Sequence, residues 1–313
     1  MLRRAPRTDV RSRRATDAAS PAVSASRVGM LTIGLLGGVA LLDFIGLAVL
    51  SVGLAGLAGA QTVERQVAEA AYGGPSPLIV FLVALTVTLV VATIVAIAFD
   101  FVGFAPWRPI GDLVVVAIEA VIFIGVAAAL VVAPGAISWA EMGLTVPPRS
   151  AVAALARGAL YAPPVVIFTA LLAAVIVPAF GVSPPSPLPP TGTAAGLGLH
   201  LLAGAVIAPV AEEVLFRGVA VTAWARTAGP TRAIVWSALL FAAAHILPIT
   251  GETFSQGAAL AVVAALGRLP VALALGWLYL RSGTLWASIG LHAAFNAVLI
   301  ILAESAGRLA GLG

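Results

Sequence analysis

The chain has 313 residues, of which 61% are hydrophobic and only 10% are charged. A water-soluble domain needs many more charged residues to cover its surface, so this composition excludes a soluble globular protein. The formal net charge is +4 at pH 7 and Cys is absent, which excludes disulfides, a thiolate nucleophile and Cys-ligated zinc. Basic flanks of membrane helices explain the arginines better than nucleic-acid binding does. We therefore predict a lipid bilayer, and no nucleic acid, as the partner of this chain.

Residues 1–28 are polar, basic and rich in Ala and Ser, and we predict a disordered tail there. Eight apolar runs follow, each long enough to cross a bilayer as a helix. They lie at about 29–59, 77–104, 110–134, 158–180, 195–217, 231–248, 257–280 and 284–304. Backbone groups in lipid must be satisfied within the segment, and the short alternating segments of a β-barrel are absent. The sequence therefore predicts an all-α, polytopic bundle of about eight transmembrane helices.

The proline-rich stretch from Pro184 to Pro190 separates two parts of the predicted membrane region. We assign residues 29–190 to N-terminal membrane helices of unassigned role and residues 191–313 to a C-terminal core. Membrane orientation is ambiguous, because the arginines of the tail favour a cytoplasmic N-terminus while those of the body favour the opposite side. We expect the connection between the fifth and sixth spans to be cytoplasmic.

Several ionisable side chains fall inside the predicted spans, where they are costly and usually serve pairing or function. Asp43 and Glu119 are isolated in sequence, and we expect a neighbouring helix to satisfy each buried carboxyl group. Arg268 lies close to Pro270, where a break in the helix would release the guanidinium to water or to a carboxylate. We expect Arg268 to form a structural ion pair.

Two adjacent carboxylates, Glu212 and Glu213, lie near the end of the predicted fifth span. Glu213 and Arg217 are four residues apart, so they share one helix face and can pair. Glu212 points about 100° away and keeps a carboxylate free for another partner. His200 lies twelve residues before Glu212, which is about 120° around a regular helix, so we leave it outside the candidate site.

Two later spans add imidazole and amide groups. His245 follows Phe241 by four residues, and Asn296 follows His292 by the same spacing. A carboxylate base, two imidazoles and an amide are the groups that activate water and hold an oxyanion. The alternative is a hydrogen-bonded cluster that only joins helices. The sequence lacks the H-E-x-x-H zinc motif, and it also lacks the serine pattern G-x-S-G and the aspartyl pattern G-x-G-D.

These motifs, E-E-x-x-x-R, F-x-x-x-H and H-x-x-x-N in this order, resemble those of the CPBP family. Its members are CAAX-processing and bacteriocin-processing (Abi-like) intramembrane proteases, and they include the type II CAAX prenyl endopeptidases. The resemblance covers about residues 195–300 and includes the stretch from Gly276 to Trp286 before the third motif. It implies an intramembrane protease with six site residues: Glu212, Glu213, Arg217, His245, His292 and Asn296.

The resemblance also implies a role for each group. Glu212 would be the principal base and His245 would help it to activate water, while His292 and Asn296 would stabilise the oxyanion. Glu213 and Arg217 would position the end of their helix. Family members are often described as metalloproteases, which would make Glu212, His245 and His292 the ligands of a zinc ion. We favour the route that requires no cofactor, because Asn296 is a poor zinc ligand and a good hydrogen-bond donor.

Other functions stay open at this stage. The chain is either a protease, a non-catalytic immunity or scaffold protein that kept the fold, or a small transporter with a carboxylate proton relay. The complete set of polar groups favours the protease, with a peptide or a membrane protein as substrate. The absence of Lys beside abundant Ala, Gly and Arg favours a bacterial origin, and hence the bacterial cytoplasmic membrane.

Overall fold

The computed structural model describes residues 71–103, 106–186, 188–309 and 311. The predicted tail 1–28, the first predicted span 29–59 and Asp43 lie outside the described residues. Within these ranges the ordered elements are helices, without a strand. Six helical stretches are long and apolar enough to cross a membrane, and one shorter apolar helix accompanies them. The all-α, polytopic fold predicted from the sequence is confirmed.

Eight helices make up the described part of the chain. They are α1 Pro77–Phe101, α2 Arg108–Val132, α3 Pro148–Ala159, α4 Ala162–Phe180, α5 Ala194–Ala228, α6 Pro230–Ile246, α7 Phe254–Ser282 and α8 Leu285–Leu309. Proline occupies the first position of α1, α3 and α6, where its missing N–H costs no hydrogen bond. Gly181 and Gly283 end α4 and α7 in the left-handed conformation, which glycine adopts without steric cost.

Three boundaries differ from the prediction. Helix α5 does not end at Arg217 but continues to Ala228, because a buried ion pair removes the cost of that charge inside the bundle. Helix α7 runs without a break through Pro270, as membrane helices allow when neighbouring groups satisfy the freed carbonyl. Helix α3 precedes the predicted start of the fourth span, and a turn at 160–161 separates it from α4.

Helix α3 packs tightly on α8 through glycine. A Cβ atom on Gly158 would clash with the carbonyl oxygen of Ala287, and one on Gly290 would clash with the carbonyl oxygen of Leu155. Small residues permit such close backbone approach between membrane helices. The packing joins a helix of the predicted N-terminal region to the helix that carries His292.

The loop between α2 and α3 fixes one end of the bundle. Glu141 in this loop binds Arg226 of α5, with Oε1 and Nη2 2.7 Å apart. Hydrogen bonds from Ser138, together with Arg226, hold the pKa of Glu141 below its usual range, which keeps the pair ionised. The hydroxyl group of Thr284 donates to the carbonyl of Gly143 at 2.7 Å. The loop thereby links the last turn of α5 to the segment just before α8.

Candidate active site

Helix α5 carries the adjacent glutamates at its middle, not at its end. Two π-helical segments, Leu202–Ile207 and Val214–Val221, flank the α-helical turn that holds Glu212 and Glu213. π segments are wider than α-helical turns, redirect the side chains beyond them and often occur at functional sites. The local geometry therefore sets where each carboxylate points.

The carboxylate of Glu212 faces both histidines that the motifs predicted. Its Oε2 atom lies 3.9 Å from Nε2 of His245 and 3.7 Å from Nε2 of His292. This oxygen is buried and has no hydrogen-bond partner among the described residues. A buried carboxylate oxygen without a partner is costly. Oε2 of Glu212 is therefore available to accept a hydrogen bond from a ligand.

The other ring nitrogen of each histidine has a defined acceptor. Nδ1 of His245 lies 2.8 Å from the carbonyl oxygen of Phe241, and Nδ1 of His292 lies 2.9 Å from Oε1 of Glu213. A carbonyl and an ionised carboxylate only accept hydrogen bonds, so both Nδ1 atoms carry the proton. In the neutral rings both Nε2 lone pairs therefore face Glu212.

Glu213 and Arg217 form the predicted pair, with Nη1 and Oε1 2.8 Å apart and both side chains fully buried. Nη2 of Arg217 also donates to the carbonyl of Ala272 in α7 at 3.2 Å. The same Glu213 oxygen binds His292. The resemblance implied that this pair positions the end of its helix. Both residues instead lie within α5, where Glu213 holds the imidazole of His292 from the interior of the bundle.

Asn296 is held by the first π segment. Its Nδ2 donates to the carbonyl of Gly204 at 2.8 Å, which uses one of the two amide hydrogens and leaves the other available. Sequence reasoning missed this contact, because a glycine in an apolar span gives no sign that its carbonyl accepts a side chain.

Glu119 and Arg268 lie within electrostatic range of Glu212. Glu119 is therefore not isolated from the other ionisable groups. The ion pair predicted for Arg268 does not form among the described residues, where no carboxylate lies within 4.0 Å of it. Its Nη1 donates instead to the carbonyl of Ala264 in its own helix at 3.0 Å.

His200 stays outside the candidate site because it binds Asp112 of α2, with Nε2 and Oδ2 3.1 Å apart. The predicted angle of 120° from Glu212 assumed a regular helix. The π segment between the two residues adds about one residue to a turn, which changes their relative rotation by about 100°. Asp112 was not singled out in the sequence, although its place four residues after Arg108, near the start of α2, was a visible signal.

The chemistry of Glu212, His245 and His292 fits a zinc site only in part. Two Nε2 lone pairs and a carboxylate are suitable ligands, and metal-bound histidines usually donate their other N–H to a carboxylate or a carbonyl. However, no group of three or more His, Asp or Glu side chains within the described ranges is arranged to hold a metal ion.

Residues 194–298 match the family model described as Type II CAAX prenyl endopeptidase Rce1-like. The matched segment is about a third of the chain and contains all three motifs. No curated protein and no solved structure matches the chain. The match supports the resemblance carried by the motifs, over the same part of the chain. The six long apolar helices make the chain an integral membrane protein.

Proposed function

We propose that this chain is an intramembrane endopeptidase that hydrolyses a peptide bond of a membrane-associated protein or peptide. The observation that carries the proposal is the buried, unbonded Oε2 of Glu212 between two imidazole Nε2 atoms at 3.7 and 3.9 Å. These separations exceed a direct hydrogen bond and are short enough for one water molecule to bridge the carboxylate and an imidazole. A base and a second acceptor acting on one water are what peptide hydrolysis requires.

The proposed reaction begins at this water. Glu212 removes a proton while the water oxygen attacks the scissile carbonyl carbon, and Nε2 of His245 accepts the second hydrogen bond that aims the water. The tetrahedral oxyanion is stabilised by the remaining amide hydrogen of Asn296 and by Nε2–H of His292 in its protonated form. Glu213 supports that imidazolium from the opposite ring nitrogen. The proton on Glu212 then passes to the leaving nitrogen as the C–N bond breaks.

A metalloprotease is the second candidate, and one observation favours it. Both Nδ1 atoms are held by acceptors, so Glu212, His245 and His292 present the donor types of a zinc site. Zinc would supply a bound water of lowered pKa. The family description implies a prenylated protein as the substrate, whereas the composition of the chain favours a bacterial peptide or membrane protein.

The test compares membranes that contain the wild-type protein with membranes that contain Glu212→Ala, using quantitative mass spectrometry of peptide termini. We expect at least one precursor to accumulate in the variant and its cleaved product to disappear. Glu252→Ala is the matched control, because Glu252 is an exposed carboxylate before α7 and should leave cleavage unchanged. Identical termini in all three samples would favour a non-catalytic membrane protein.

A further inference from the structure

Arg268 lies on the side of α7 that faces the candidate site. Nη2 of Arg217 donates to the carbonyl of Ala272, which places that turn of α7 against the interior of α5. Arg268 comes four residues earlier, and residues four apart share a helix face. The side chain of Arg268 therefore begins one turn away, on the same side of the helix.

Most of the hydrogen-bonding capacity of Arg268 is unused. A guanidinium has five N–H donors, and Nη1 donates to the carbonyl of Ala264. The remaining nitrogens are not among the buried atoms that lack a partner, so they border accessible space. A guanidinium that faces hydrocarbon is costly, so an anionic or polar ligand in this space would stabilise it.

The position of Arg268 connects it to the reaction. It interacts electrostatically with both Glu212 and His245. The other guanidinium beside the site, that of Arg217, is occupied by Glu213 and by a backbone carbonyl. Arg268 is therefore the arginine of the described site whose donors are available to a ligand.

We propose that Arg268 binds a carboxylate of the substrate and so selects peptides that have an acidic group close to the scissile bond. The inference rests on the proposed function, because it takes the ligand to be a polypeptide. The anionic groups of an unmodified polypeptide are Asp and Glu side chains and the C-terminal carboxylate. The planar guanidinium matches a carboxylate through two parallel hydrogen bonds, which a point charge does not reproduce.

The experiment uses the full-length protein in proteoliposomes and a peptide that spans a cleavage site found in the membrane comparison. Each carboxylate near the cut is replaced in turn by its amide, either Asp→Asn or Glu→Gln in the side chain or amidation of the C-terminus. For the wild-type protein we expect one of these changes to lower kcat/KM about tenfold or more, mainly through KM. The peptide that shows this loss identifies the source of the carboxylate.

In Arg268→Gln the difference between the acid and amide peptides should disappear, and Arg268→Lys should restore only part of it. Arg281→Gln is the matched control, because Arg281 is exposed at the far end of the same helix and should keep the full preference. A fall in kcat that is equal for both peptides would mean that Arg268 only balances the charge of Glu212, which overturns the inference. Cleavage that needs Glu212 but ignores every amide replacement would also overturn it, while leaving the protease standing. Absence of any cleavage that depends on Glu212 would overturn both.

Discussion

Adjacent glutamates on α5 occupy opposite environments. Glu213 is fully buried, and its Oε1 binds both Arg217 and His292. Glu212 is 16% exposed, and its Oε2 has no hydrogen-bond partner in the described part of the chain. A carboxylate held by two partners is suited to orient a neighbouring side chain, whereas a carboxylate without a partner is suited to accept a proton. The environment, not the residue type, separates the two roles.

Glu212→Gln should abolish cleavage while the protein stays folded, because an amide of the same shape does not act as a base. We expect a loss of roughly 10²–10⁴-fold, the usual contribution of a general base. His200→Ala should keep substantial activity, since His200 binds Asp112 and not the site. Initial rates on a substrate peptide and thermal unfolding in detergent measure the two effects. The opposite order of activities would disprove the assignment of Glu212.

The stability of the fold should fall more when one partner of the buried pair Glu213–Arg217 is removed than when both are replaced. Glu213→Gln leaves the guanidinium buried without a counter-charge, which costs about 3–5 kcal/mol, whereas replacing both partners by apolar residues is often close to neutral. We therefore expect Glu213→Gln to lower Tm more than Glu213→Leu combined with Arg217→Met. Both variants should lose activity, because each removes the negative charge that faces Nδ1 of His292. Equal values of Tm would contradict this account.

Metal removal separates the two proposed mechanisms. We expect purified protein that has been stripped with a strong chelator to keep its activity, because Glu212 and His245 suffice to activate water in the favoured mechanism. Metal content is measured by mass spectrometry in the same sample. Loss of activity together with stoichiometric zinc, and recovery when zinc is added, would make Glu212, His245 and His292 metal ligands.

At the scale of elements, helix α5 organises the site. It is 35 residues long, and its two π segments lie on either side of the glutamates. The first segment presents the carbonyl of Gly204 to Asn296. The second lets the carbonyl of Phe216 accept a hydrogen bond from Ser237 of α6 at 2.8 Å. The same helix thus connects to both helices that carry the histidines of the candidate site.

The glycine contact between α3 and α8 should tolerate no added methyl group. In Gly158→Ala the new Cβ would meet the backbone carbonyl of Ala287, which has no side-chain freedom to move away. We expect a loss of about 1–3 kcal/mol, as for other overpacked interiors, measured as a lower Tm in detergent. Gly125→Ala is the control, because nothing lies within 4 Å of a Cβ there, and alanine favours a helix by roughly 0.5–1 kcal/mol. A Tm that is unchanged in Gly158→Ala would contradict the close packing.

At the scale of the whole molecule, one end of the described bundle is rich in arginine. The contact of Arg226 with Glu141 and that of Thr284 with Gly143 place the ends of α2, α5 and α7 together. The arginines at or next to these connections are Arg149, Arg226, Arg232 and Arg281. The sequence suggested that Arg217 lies on the same side of the membrane as these arginines. Arg217 is buried inside the bundle, so it does not contribute to the charge at this end. The distribution favours a cytoplasmic location for this end.

Labelling of a single cysteine tests the orientation. Thr227 is exposed in the last turn of α5, which ends at Ala228. Only Gly229 separates this end from the start of α6 at Pro230. The predicted loop between the fifth and sixth spans is thus reduced to a tight turn. Since the chain has no native Cys, Thr227→Cys should resist an impermeant maleimide in intact cells and react once the membrane is permeabilised. Ready labelling in intact cells would reverse the orientation.

The sequence singled out the glutamates, the arginine and the two histidines that the structure brings into contact. Charged and polar groups are so costly in apolar spans that their presence alone marks them, and the spacing of four residues predicts the pair of Glu213 and Arg217. The positions of the partners on other helices were not predictable. The contact of His292 with Glu213 joins residues 79 apart in the chain, and spacing within one helix carries no information about it.

The sequence by itself determined the class of fold, because an apolar run of membrane length satisfies its backbone hydrogen bonds in lipid by forming a helix. It also determined which groups are available for chemistry. The tertiary structure alone decided how α5 is wound, because π segments form where packing and side-chain contacts satisfy a displaced carbonyl, as Asn296 does for Gly204. A helical periodicity of 3.6 residues assumes that every turn is regular. The packing of the helices therefore decided that Glu213 supports His292 while Glu212 stays free to act.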